Sequence, residues 1–223
     1  MTSTSPSRRG RPPIALELII STALEMIDAQ GPDAFSFRAL AQRLSSGTAT
    51  LYRHVSDKSE LFALVIEHVL SSVEVPELEN STWDEQCEAL MRAIYDQLAA
   101  HPGVSTALVT HFPNDHHAAS LRERLFTALL DGGFTADVAA TGGATLARYT
   151  LGFAIQSGLE LSSAPEAPTP DPTPVASQER HPATASLSHL LPKPLHEEFE
   201  FGMQLLLQGL NTKLREEKTT HEP

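Results

Sequence analysis

Apolar positions along this chain recur at three- and four-residue spacing, and no stretch alternates with period two, so the pattern predicts an all-α protein. The first such run, about 14–30, places Ile19, Ala23, Met26 and Ile27 on one face and stops at Gly31-Pro32. Phe37, Leu40, Ala41 and Leu44 form a second, shorter stripe, with Ser36 as a plausible N-cap. Ser45-Ser46-Gly47 interrupts it, and a third helix over about 48–55 is held by Leu51 and Val55. Two short helices around a tight turn make a helix-turn-helix. Asp57 and Glu60 have the spacing of a capping box and open a helix to about Ser71.

Beyond a break at 73–80 the periodicity continues. Thr82-Trp83-Asp84-Glu85 caps a helix running to about Ala100, and His101-Pro102-Gly103 ends it. A short helix over about 104–111 stops at Phe112-Pro113. Another over about 117–131 stops at Gly132-Gly133, a C-cap signature. A long helix then extends from Thr135 to about Ser162, and the final one spans about 195–217 with Phe199, Met203, Leu206, Leu207 and Leu210 on one side. Between these, residues 163–185 carry near-alternate prolines among Ala, Thr and Ser, the composition of a mobile loop. The layout is a basic arm (1–13), a helix-turn-helix domain (14–60), a helical second domain (61–217) and a short tail (218–223).

Composition narrows the classes. At 223 residues and 41% hydrophobic, the chain can bury a sizeable core. The single cysteine, Cys87, allows no internal disulfide, which suits a reducing cytoplasm. No apolar run is long enough to span a membrane, and the first residues lack the apolar core of a signal peptide. A net charge of −12 argues against nucleic acid until its distribution is read. Residues 1–60 hold seven Lys/Arg against six Asp/Glu, whereas the remainder holds nine against twenty-two. The acid lies away from the helix-turn-helix and can orient the molecule on a polyanion.

The Leu51-Tyr52-Arg53-His54-Val55 core, Lys58 three residues on, and Phe37-Arg38-Ala39-Leu40-Ala41 upstream resemble the DNA-binding domain of the TetR family of bacterial transcriptional regulators. Members of that family usually carry Gly-Val where this chain has Ser45-Ser46, and Gly47 is the residue expected to supply the turn's freedom. His101-Pro102, Gly132-Gly133-Phe134, Leu151-Gly152-Phe153 and Phe199-Glu200-Phe201-Gly202 resemble the family's subgroup that includes the tetracycline repressor. The resemblance implies a homodimer in which the long and final helices of two subunits form a four-helix bundle. Gly142, Gly143, Ala144, Ala147, Gly152 and Gly158 would permit close helix approach there, or else fill an intramolecular core.

Candidate roles follow. Arg38, Thr48 and Ala49 align with base-contacting positions of the family. Thr50, Tyr52, Arg53, His54 and Lys58 suit phosphate oxygens, although Tyr52 and His54 could instead pack between helices. Arg8, Arg9 and Arg11 form an arm that either enters a minor groove or stays inert. For an apolar or aromatic small-molecule effector the candidate lining is Trp83, Cys87, Met91, Tyr95, Leu108, His111, Phe112, Phe126, Tyr149, Phe153 and Gln156, each also eligible for ordinary core packing. Leu108 and Gln156 stand where the tetracycline-magnesium site has a histidine and a glutamate, so that ligand is not expected. The His111, His116, His117 cluster lacks zinc spacing, and no metal or cofactor is expected. No catalytic set or nucleotide fingerprint occurs, so an all-helical enzyme is the weaker rival. A ligand-independent DNA-binding scaffold is the other. The expectation is a cytoplasmic, ligand-responsive regulator of a double-stranded DNA operator, most simply a repressor released by its effector.

Overall fold

The computed structural model describes residues 14–108, 110–111, 116–162 and 180–220. The basic arm, Phe112, most of the Pro-rich segment and the last residues of the tail lie outside them. Among the described residues the regular structure is helical throughout.

The head consists of α1 (Leu16–Ala34), α2 (Phe37–Arg43) and α3 (Thr48–Leu51), closed by α4 (Lys58–Ser71). In α1 the regular helix ends at Gly31, whose φ of 75° no β-carbon-bearing residue adopts cheaply, and Pro32 follows. Ser36 caps α2 by accepting from the Ala39 N–H at 3.2 Å. At the other end of α2 the Ser45 N–H donates to the Gln42 carbonyl (3.0 Å) and the Ser46 N–H to that of Ala41 (2.8 Å), a Schellman closure. The left-handed residue of this turn is Ser45, with φ 50°, and not Gly47, which has φ −93° and serves as N-cap of α3. The expectation for Gly47 is therefore corrected: satisfying both orphan carbonyls requires the first residue after the cap to turn left-handed. The predicted third helix is also shorter than its span. After Leu51 the chain tightens, with His54 N–H donating to Leu51 O (2.9 Å). Ile19, Ala23, Ile27, Leu40, Leu51 and Phe62 fill the head's core.

The body contains α5 (Trp83–Ala99), α6 (Pro102–Ala107), α7 (His116–Asp131), α8 (Ala136–Ser162) and α10 (Leu195–Thr220). A small α9 (Pro182–Leu187) precedes α10. Asp57 caps α4 by accepting from the Glu60 N–H at 2.9 Å, and the Thr82 N–H donates to Glu85 at 2.8 Å at the start of α5. A second Schellman closure ends α7 around Gly133, φ 93°. The helix α8 is the hub, touching α5, α6, α7 and α10.

Head and body meet where α1 lies on α6 and where α4 lies on α5, α6 and α7. A β-carbon on Gly103 would fall 2.1 Å from the Ile27 carbonyl oxygen, so only glycine lets α6 approach α1 this closely. Asp28 fastens the joint, accepting from the Gly103 N–H at 3.1 Å and pairing with His101 Nδ1 at 2.7 Å. A second tie joins Glu67 of α4 to His117 of α7, Oε1 to Nδ1, at 2.5 Å.

Candidate DNA-binding face and effector cavity

The proposed DNA contacts lie on α2, on α3 and in the residues that follow it. Arg38 on α2, Thr48 and Ala49 on the first turn of α3, and Arg53 just after it are exposed, while Thr50 and His54 are half-buried. Tyr52 is 55% exposed, yet its ring stacks on Phe37 with centroids 5.0 Å apart. The ring is packed while the residue stays exposed, so the two sequence-based alternatives for Tyr52 are compatible. Lys58 is different. Its Nζ donates to the carbonyls of Pro32 (2.8 Å) and Phe35 (3.4 Å) and sits 5.1 Å from the Phe62 ring centroid. Those carbonyls are left open by the end of α1, and an ammonium at a helix C-terminus is favourable. Lys58 is thus seated as an anchor of α4 to α1.

A cavity of about 300 Å³ lies in the body, walled mainly by α5, α7 and α8. Its lining is apolar: Leu70 at the end of α4, Met91 and Ile94 on α5, Leu121, Leu125 and Phe126 on α7, and Gly143, Ala144, Ala147 and Leu151 on α8. Three polar residues complete it, Thr150, Arg122 and Arg148. A larger groove of about 700 Å³ follows the 74–81 connection, but Glu74, Glu77, Glu79, Glu85, Glu88 and Asp96 line it. Small-molecule sites are mostly apolar with few polar handles, so lining and not size selects the first cavity.

Of the predicted lining residues, the structure brings Met91 and Phe126 to this cavity. Tyr95, Tyr149 and Phe153 instead build an aromatic cluster around Phe199, with Tyr95 stacked on it at 4.1 Å. The Tyr149 hydroxyl donates to the Phe199 carbonyl (2.9 Å), and the Tyr95 and Ser157 hydroxyls lie 3.1 Å apart. Trp83 packs edge-on to Phe134 at the α7–α8 turn, Cys87 and Leu108 are core residues, the His111 ring rests against Phe62, and Gln156 is exposed. Burial pushes the Cys87 thiol up to about 12, with Asp84 adding to the shift. Aromatic residues drew the sequence-based choice. They are needed here to fill the seam between α5, α8 and α10, whereas a cavity arises where side chains are too small to fill space.

The small residues of α8 were the usable signal. Gly143 lies under the Phe126 ring, Gly142 under Leu210 and Gly158 against the Pro102 backbone, each where a β-carbon would clash within 2.8 Å. These three therefore serve contacts within the chain, the second of the two alternatives the sequence left open for them. Ala144 and Ala147 face the cavity, and Gly152 alone of the set has open space beside it. On α10, Leu207 is likewise buried in its own subunit, while Phe201 and Leu205 stand 66% and 52% exposed. Among the described residues no group of three or more His, Cys, Asp or Glu converges as a metal would require. No described helix is long and apolar enough to cross a membrane.

Comparison with known proteins bears on both sites. Residues 19–65 match the family described as bacterial regulatory proteins, tetR family, and residues 75–214 match the tetracyclin repressor-like C-terminal domain. The HTH-type transcriptional repressor DrrR1 of Streptomyces coeruleorubidus is 27% identical over 233 residues, covering 100% of this chain and 86% of the relative. The tetracycline repressor protein class E of Escherichia coli is 24% identical, covering 93% and 95% of the two chains. Among solved structures, the TetR family protein ActR of Streptomyces coelicolor in complex with actinorhodin superposes with a TM-score of 0.78 at 29% identity, covering 91% of this chain and 99% of that one. With a helix-turn-helix head and a helical body each matching over its own span, the chain belongs to the TetR family and is a DNA-binding transcriptional regulator.

Proposed function

We propose that the chain represses transcription as a homodimer on a palindromic operator and is released when a small molecule enters the α5–α7–α8 cavity. The observation that carries this reading is the placement of α4. Its first residue, Lys58, is anchored beside the DNA-binding face, and its Leu70 lines the cavity. A helix of this length spans roughly 20 Å at about 1.5 Å per residue, so one rigid rod joins the two sites. Two recognition helices must sit about 34–36 Å apart to enter successive major grooves. A ligand that fits the cavity better when α4 is displaced then lowers operator affinity by its differential binding to the two states.

In this reading Arg38, Thr48 and Ala49 read base edges and Thr50, Tyr52, Arg53 and His54 touch phosphates. Lys58 acts indirectly, by fixing where α4 begins. The head is residues 14–60 and the body 61–217, with α4 shared mechanically between them. Phe201 and Leu205, the large apolar side chains exposed on α10, mark the surface for the second subunit. The protein performs no chemistry of its own and works in the cytoplasm with its DNA. Selection from random duplexes tests the proposal: a symmetric motif is expected, with Arg38→Ala relaxing the preference at one position per half-site. Recovery of no symmetric motif would refute it.

A further inference from the structure

The cavity carries features that a generic apolar pocket does not need. Thr150 is fully buried on α8, and its Oγ1 has no hydrogen-bond partner. A helical threonine ordinarily returns its hydroxyl to a carbonyl one turn back, as Thr145 does to Thr141 at 2.8 Å. A buried hydroxyl left unmatched is costly, and such a group in a native protein calls for a partner. The lining of the cavity also includes two guanidinium groups, Arg122 from α7 and Arg148 from α8, neither ion-paired among the described residues. They stand in a body where residues 61–223 carry nine basic side chains against twenty-two acidic ones. On the α8 side the lining includes the small residues Ala144 and Ala147, next to Gly143, whose face the Phe126 ring already covers. Met91 and Phe126 bound the space on other sides, and a thioether is well suited to an aromatic neighbour. The volume of about 300 Å³ is at the lower end of ligand pockets.

We propose that the effector is a small fused-ring aromatic acid, its ring system lying against Ala144 and Ala147 of α8, its anionic group held by Arg122 and Arg148, and a polar substituent meeting the Thr150 hydroxyl. This deepens the preceding section and rests on its reading that the cavity is the effector site. The groove along residues 74–81, with six carboxylates against Arg92, disfavours the same compound.

The test uses a matched pair of probes, 1-hydroxy-2-naphthoate and its neutral carboxamide, titrated calorimetrically into the full-length protein. The naphthoate should bind at least about five-fold tighter at low ionic strength, and the advantage should shrink as salt is added, because both arginines reach solvent. In the Arg122→Gln/Arg148→Gln double variant the ratio should fall to within about two-fold. Thr150→Val should weaken both probes by about five-fold, the usual worth of one hydrogen bond. Ala147→Phe should abolish both by filling the cavity, with Ala118→Phe on the α7 side replacing it if the first variant melts early. Equal binding of the two probes, a preference that survives the double substitution, or no binding of either overturns the aromatic-acid assignment. Binding that persists in both cavity-filling variants overturns instead the placement of the effector site.

Discussion

Ser45 offers a quantitative test of the local argument, because the chain contains its own control. Two helices end in the same Schellman closure. Where α7 ends, the left-handed position is Gly133 at φ 93°; where α2 ends, it is Ser45 at φ 50°. An L-residue pays roughly 1–2 kcal/mol in the left-handed region because its β-carbon crowds the following carbonyl. Glycine avoids that cost but surrenders about 0.4–1 kcal/mol through the greater freedom of its unfolded chain. The difference predicts that Ser45→Gly stabilises the head by about 0.5–1 kcal/mol. Gly47→Ala supplies the contrast. With φ −93° and nothing within 4 Å of an added β-carbon, alanine fits there without strain. Its unfolded-state gain of about 0.4–1 kcal/mol is then set against the loss of a tolerable N-cap residue, and the net change should lie within about 0.5 kcal/mol of zero. Urea unfolding of wild type and the two variants at one fixed protein concentration, read by far-ultraviolet circular dichroism, gives both values. If Ser45→Gly is destabilising while Gly47→Ala costs more than 1 kcal/mol, the turn is built the other way round, as sequence alone suggested.

Gly103→Ala should drive a β-carbon into the Ile27 carbonyl and cost about 1–3 kcal/mol while loosening head from body, so operator affinity measured by fluorescence anisotropy should fall even if the helices persist. The Cys87 thiol should resist a disulfide reagent in the native protein and react only on unfolding, because it is fully buried and held protonated. Its ionisation is raised from 9.0 to about 12, so the folded form keeps a proton that the unfolded form loses; stability is undiminished below pH 9 and should decline as pH rises from about 9 to 12. Leu205→Glu, at an exposed α10 position, should yield a folded monomer by analytical ultracentrifugation, whereas Leu207→Glu should lower the melting temperature outright because Leu207 is interior to its own subunit.

Much of the molecule was readable before any coordinates because helix signals act over three or four residues. The Ser36 cap, the Asp57 and Glu60 pair, the Thr82 and Glu85 pair and the Gly132-Gly133 stop are contacts between near neighbours, and each forms where its spacing indicated. The apolar stripes likewise named the head's core, since Ile19, Ala23, Ile27, Leu40, Leu51 and Val55 share faces fixed by the helical period alone.

Tertiary structure decided everything that depends on which face meets which. Lys58 suited a phosphate contact by its position along the chain, and only the docking of α4 brings the Pro32 carbonyl, 26 residues away, to 2.8 Å from its Nζ. Glycines on α8 suited a subunit contact or an intramolecular core equally, and Phe126, Leu210 and Pro102 occupy the space that three of them leave. The aromatic residues were eligible for a ligand cage or for ordinary packing; Tyr95, Tyr149 and Phe153 close the α5–α8–α10 seam, and the cavity opens beside alanines and Thr150. The physical reason is common to these cases. A sequence states what each side chain can offer to its immediate neighbours along the helix, whereas a cavity is an absence of matter between helices, set by the volumes of residues scattered over α4, α5, α7 and α8 and known only once they are brought together.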